Sequence, residues 1–160
     1  MGMDVYGNNG NYFRNNVWWW RALWNYCCDI GFEIIPPDVK RSGHSNDGSG
    51  LNAKDSITLA KMLIKEIESG NTKKYEDEYM AKINALPDED CRICGGTGLR
   101  AAAPNTGPGE FGCNGCGGDF YNNKPGKGKV RPWASHYPFN VENVKEFADF
   151  LMKCGGFRIC

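Results

Sequence analysis

Four cysteines stand in two matched pairs: Cys91-Arg92-Ile93-Cys94 and, after eighteen residues, Cys113-Asn114-Gly115-Cys116. Two thiolates separated by two residues grip one ion from a tight turn, and two such turns complete a tetrahedron around zinc. Glycines trail each pair (Gly95, Gly96 and Gly98; Gly117 and Gly118), permitting the close backbone approach that aims amides at sulfur. Four protein thiolates leave no coordination position open, so the site expected here is structural. A disulfide pair or a redox Cys-x-x-Cys accounts poorly for two matched pairs with glycine tails. The ligands alone also suit an iron–sulfur cluster.

Other candidates are less compact. The basic run Lys124, Lys127, Lys129 and Arg131 follows the second pair, with Trp133 and Tyr121 beside it for base stacking. The competing account is that these cations offset an anionic thiolate centre. The Trp cluster reads first as core packing; next, Trp18, Trp19 and Tyr26 form an aromatic strip suited to a protein interface or a pocket wall, and a membrane-interface anchor comes third. Arg14, Asn15, Asn16 and Arg21 would serve such a pocket for a nucleotide-like ligand. His44 with Asp47 is the one proton-transfer pair the chain suggests, with Asp29 as a second orienting group. No phosphate loop, dinucleotide fingerprint, serine elbow or zincin motif occurs. An enzyme is therefore the lesser expectation, below a binding module acting on a macromolecule. A protein partner ranks first and nucleic acid or nucleotide second.

The first knuckle, Cys91-Arg92-Ile93-Cys94-Gly95-Gly96-Thr97-Gly98, resembles the C-x-x-C-x-G-x-G repeat of the DnaJ-type zinc domain. The second is similar, with Phe120 where the repeat ends in glycine. The resemblance implies a zinc hairpin, and the absence of His-Pro-Asp separates it from chaperone activity. A longer series is similar to a set of small uncharacterised proteins of bacteria, prophages and phages. It runs Phe13-Arg14-Asn15-Asn16-Val17-Trp18-Trp19-Trp20, Ser45-Asn46-Asp47-Gly48-Ser49-Gly50-Leu51, the knuckles, His136-Tyr137-Pro138-Phe139-Asn140-Val141-Glu142-Asn143-Val144 and Cys154-Gly155-Gly156-Phe157. That likeness implies a setting, in which an inhibitor or counter-defence protein fits, and no mechanism.

The elements that must position these residues are mostly helical. One helix is expected over about 15–29, burying Val17, Trp20, Leu23, Trp24, Cys27 and Cys28, with Trp19 and Tyr26 opposite and Gly31 as a left-handed cap. Glu33–Val39 reads as a short extended piece broken by Pro36-Pro37, and 41–50 as a loop. A second helix starts at the N-cap Asn52 with Ala53, Ile57, Ala60, Ile64 and Ile67 inward, a third covers about 73–86, and a last covers 141–154 from the N-cap Asn140. Phe157–Cys160 adds a short strand. The expectation is an α+β, mostly helical fold, about four helices around a Trp-rich first helix. Its parts are residues 1–90, a zinc hairpin at 91–118, and 119–160 as a basic linker and C-terminal helix of the same domain.

At 160 residues the chain suits one domain without a disulfide staple, and nineteen basic against nineteen acidic residues exclude a broadly basic nucleic-acid coat. The start shows no secretory signal, Tyr6 breaks the myristoylation pattern, Cys160 forms no prenylation box, and no apolar run spans a bilayer. Eight cysteines in such a chain suggest thiols and metal in the cytoplasm, with no membrane contact.

Overall fold

A computed structural model describes residues 2–160. The chain divides into two compact units, one formed by residues 1–82 and 137–160 and the other by Ile83–His136. The fold is α+β and mostly helical, as expected.

The first unit opens with a hairpin that the expected elements did not include. Strands β1 (Gly2–Gly7) and β2 (Tyr12–Asn16) pair antiparallel, with Val5 opposite Phe13. β7 (Phe157–Ile159) pairs with the other edge of β1, giving the order β2-β1-β7. Met3, Val5 and Phe13 point into the core, while Tyr6, Tyr12 and Arg14 face solvent, the period of two a half-buried sheet requires. The loop between the strands also does work. Side chains of Asn8, Asn9 and Asn11 donate to the carbonyls of Gly155 and Lys153, which the end of the last helix leaves unpaired.

Asn16 ends β2 and caps α1 (Val17–Ile30), its side-chain oxygen accepting from the amides of Trp18 at 3.0 Å and Trp19 at 3.1 Å. Asn52 caps α3 (Ala53–Glu68) and Asn140 caps α5 (Val141–Lys153) in the same way. α3 and α5 pack along each other, and α1 meets both. Trp20 and Trp24 stack at 5.5 Å between centroids, and Trp20 stands edge-on to Phe147, also at 5.5 Å. A buried indole needs an acceptor. Trp20 donates to the Gly43 carbonyl at 2.7 Å and Trp24 to that of Lys40 at 3.2 Å.

Those acceptors sit at α2 (Pro37–Ser42) and just after it, a short helix where an extended piece and a loop were expected. Pro37 occupies the first turn, where proline's missing amide costs nothing. Gly31 does end α1, but at φ −88° and not in the left-handed form. Its glycine is required by space, because a Cβ there would lie 2.9 Å from Ile35 Cδ1 and Leu59 Cδ1. On α3 the buried residues are Ser56, Leu59, Ala60 and Leu63, so the face is rotated from the expected one: Ala53 and Ile57 are exposed, Ile64 and Ile67 half-buried.

α4 (Asn71–Asn84) packs Tyr75 edge-on and Tyr79 tilted against Phe139. The Tyr79 hydroxyl donates to the Tyr137 carbonyl at 2.8 Å, and the Val141 amide donates to Glu76 at 2.7 Å. These bonds join, within the first unit, the stretches from which the chain leaves and to which it returns.

The second unit has short elements: β3 (Glu89–Asp90) pairs with β6 (Lys129–Val130), and β4 (Leu99–Arg100) with β5 (Phe111–Gly112). Its deeply buried apolar side chains are Ile83, Pro132 and the four cysteines of the two pairs. Ile93 and Val130 pack against the cysteines half-buried. So small an apolar interior is characteristic of units that a metal or disulfides must stabilise.

Candidate metal centre

Each cysteine pair makes the same turn. The amides of Cys94 and Gly96 donate to the Cys91 carbonyl at 3.2 and 3.3 Å, and those of Cys116 and Gly118 to the Cys113 carbonyl at 3.2 and 2.8 Å. The turns face each other: Cys91 Sγ lies 3.8 Å from Cys113 Sγ, and Cys94 Sγ 3.9 Å from Cys116 Sγ. All four sulfurs are within 4.8 Å of one another and buried, an arrangement that could hold a metal ion. The separations far exceed the ~2.05 Å of a bonded pair, and all eight cysteines are unpaired.

Backbone amides complete the site. Gly98 donates to Cys94 Sγ and Gly128 to Cys116 Sγ, both at 3.3 Å. Gly98 also accepts from the amides of Cys113 at 3.0 Å and Gly126 at 2.9 Å, so it ties both knuckles to the following loop. It has φ +80°, and a Cβ would stand 2.4 Å from the Gly126 carbonyl oxygen, so only glycine fits.

The thiols differ. Burial acts most strongly on Cys94 and would raise it, but the Gly98 amide and the thiols of Cys113 and Cys91 bring it down to about 7. Cys116 is pushed up to about 12, by burial first and then by Cys113 and Cys94, against the Gly128 amide. Cys113 is raised, again chiefly by burial. Cys113 and Cys116 therefore hold their protons unless a cation lies among the sulfurs.

The stretch expected as a basic linker forms a wall of this centre. The Lys127 amide donates to the Cys116 carbonyl at 3.0 Å, and Cys91 donates to the Gly128 carbonyl at 2.8 Å. Lys129 Nζ pairs with Asp90 at 2.6 Å and Arg131 with Asp88 at 3.5 Å. Arg131 also donates to the carbonyls of Ile83 at 2.9 Å and Leu86 at 2.8 Å, where α4 ends. Residues 88–90 thus neutralise half of the basic run. The alternating glycines of Gly126-Lys127-Gly128 were the readable sign that backbone comes close here.

The remaining candidates separate. Tyr26, expected as part of an exposed strip, is 3% exposed; its hydroxyl bonds Thr72 at 2.9 Å, and its ring meets Tyr75 and Phe139. Trp18 and Trp19 are half-buried, Trp18 with its ring 5.2 Å from that of Tyr137. Trp133 is exposed.

Arg14, Asn15 and Asn16 line an open hollow of about 480 Å³ with Gly2 and no aromatic wall. Their polar groups are engaged: Arg14 with Asp4 at 3.6 Å, Asn15 with Asn143 at 2.7 Å, Asn16 in the α1 cap. Arg21 lies over the Tyr137 ring at 5.7 Å.

His44 and Asp47 do not form the expected pair. Asp47 accepts from the Ser49 amide and hydroxyl, while His44 Nδ1 is buried without a hydrogen-bond partner. Burial, then the charge of Arg21, lowers the His44 imidazole below its ordinary range. A histidine depressed in the fold takes its proton more readily unfolded, so its contribution is complete above about pH 6.5 and declines below. Thermal melts between pH 7 and 5.5 should show falling stability, less steep in His44→Leu; identical slopes would refute this.

Among the described residues no helix is long and apolar enough to cross a membrane. No family model, curated protein or solved structure matches the chain.

Proposed function

We propose that the chain is a zinc-stabilised, non-enzymatic binding module whose Ile83–His136 unit is organised by one zinc ion on Cys91, Cys94, Cys113 and Cys116. The observation that carries this reading is the sulfur geometry. A tetrahedron with metal–sulfur bonds of ~2.3 Å has edges of ~3.8 Å; two of the six sulfur separations, at 3.8 and 3.9 Å, agree with that, and the rest lie within 4.8 Å. Four thiolates satisfy zinc's preferred coordination number, which favours a structural ion over a catalytic one. The DnaJ-type likeness of the first knuckle supports the same ion. A reducing, cytoplasmic setting belongs to this reading, because the thiols must persist.

The ligand is a macromolecule rather than a small molecule in an aromatic pocket. Tyr26 is withdrawn into the core, and Asn15 and Asn16 are used by the fold. By contrast, Trp133 at 66% and Tyr121 at 92% exposure stand open in the cysteine unit.

Native mass spectrometry of gently purified protein should show one zinc per chain; an iron–sulfur mass or a metal-free chain would overturn the reading. Protons compete with the ion for sulfur. Thiols of a metal-free, unfolded unit are largely protonated below their ordinary value of about 8.5, so loading four of them releases most of those protons. Competition against a chelator should therefore show zinc affinity falling between pH 8 and 6, about a hundredfold or more per pH unit. A flat profile would contradict thiolate ligation.

A further inference from the structure

We propose that the turn at Asp119–Lys124 is a contact for single-stranded nucleic acid, Tyr121 stacking on a base and Lys124 and Lys127 meeting the neighbouring phosphates. The inference rests on the zinc-module reading and names its partner class.

The turn is stiff. Asp119 and Lys124 exchange backbone hydrogen bonds of 2.9 and 3.0 Å. The Asp119 carboxylate accepts from the amides of Tyr121 and Asn122 and from the Asn122 side chain, which fixes the shape of the turn and keeps the carboxylate ionised. Tyr121 stands in that turn, 92% exposed. Its ring meets Phe120 edge-on at 5.6 Å, and Phe120 stacks on Phe111 at 4.7 Å with the Arg100 guanidinium 5.8 Å from its centroid. A supported aromatic ring left in water is a stacking platform that accepts the face of any base.

Charge selects the partner. In the basic run Lys129 and Arg131 are paired with Asp90 and Asp88, whereas Lys124 and Lys127 form no ion pair within 4.0 Å among the described residues. Lys127 is anchored through its amide to Cys116, and Lys124 closes the Tyr121 turn. Lys127, which makes no salt bridge, and Lys124, whose field is shared with Asp119, follow the exposed ring in the chain and suit a strand that offers phosphates and open bases together. A duplex hides its base faces, so single strands are favoured.

The test is fluorescence anisotropy of labelled single strands of about a dozen nucleotides, RNA and DNA separately, against the zinc-loaded full chain at low salt. Both should bind more tightly than a duplex of the same sequence. Tyr121→Ala should weaken binding by roughly 5- to 100-fold and Tyr121→Trp should restore it. Lys124→Gln with Lys127→Gln should flatten the slope of log affinity against log salt by about 1.4. These variants should keep the parent's zinc content, so a parent lacking zinc would refute the metal reading independently of the binding result. The proposal fails if the strands do not bind at about 100 µM, if duplex binds equally, or if Tyr121→Ala binds like the parent. It also fails if Tyr121 proves to be buried against a protein partner while oligonucleotides do not bind.

Discussion

Cys94→Ser should empty the metal site and unfold the Ile83–His136 unit while leaving the sheet and helices of the other unit in place. Cys94 is fully buried, accepts from the Gly98 amide and faces Cys116 across the centre. Structural zinc contributes on the order of 10–16 kcal/mol of apparent binding free energy in small metal-folded units. The apolar interior here, the cysteines with Ile83 and Pro132, cannot replace it. Metal analysis should fall from one zinc per chain towards none, and limited proteolysis should open cleavage sites throughout 91–131. Amide exchange should stay slow in α3 and α5. A variant with full metal content and an unchanged digest would refute the assignment.

Trp20→Ala should have the largest effect in the other unit. Trp20 is 0% exposed, stacked on Trp24, edge-on to Phe147 and bonded to the Gly43 carbonyl. Truncating a buried tryptophan costs about 3–5 kcal/mol, and the orphaned carbonyl adds a desolvation penalty. Denaturant unfolding followed by far-ultraviolet circular dichroism should show that loss. Trp19→Ala, on a half-buried ring of the same helix, should cost under half as much. Equal effects would mean that α1 is packed differently.

What could be read before the structure follows from how local the deciding physics is. Pair spacing and glycine tails mark the thiolates because both reflect contacts within a few residues. Helix caps are equally local, and Asn52 and Asn140 act as expected. Burial on α1 is not local. With apolar residues around most of its surface, only the positions of Thr72, Tyr75 and Phe139 decide that Tyr26 goes inside.

The buried face of α3 is set by a similar exception, Ser56. Its hydroxyl returns to the Asn52 carbonyl at 2.7 Å, which lets a polar residue occupy the core face while Ile57 turns outward. The first hairpin had local signs in the Asn8-Asn9-Gly10-Asn11 turn and the alternation around it. The role of Gly126–Gly128 depends on backbone reaching back over more than thirty residues to Cys91.

The clasp between Tyr79 and Tyr137 has a consequence for how the chain is assembled. It fastens the two ends of a 54-residue excursion, Ile83–His136, so to the host unit the metal-binding stretch is one closed loop. Loop-closure entropy grows only logarithmically, about 0.6 kcal/mol for each doubling of length. The closure cost to the host therefore depends only weakly on how long that loop is. The tryptophan core can then close around that loop before any metal arrives.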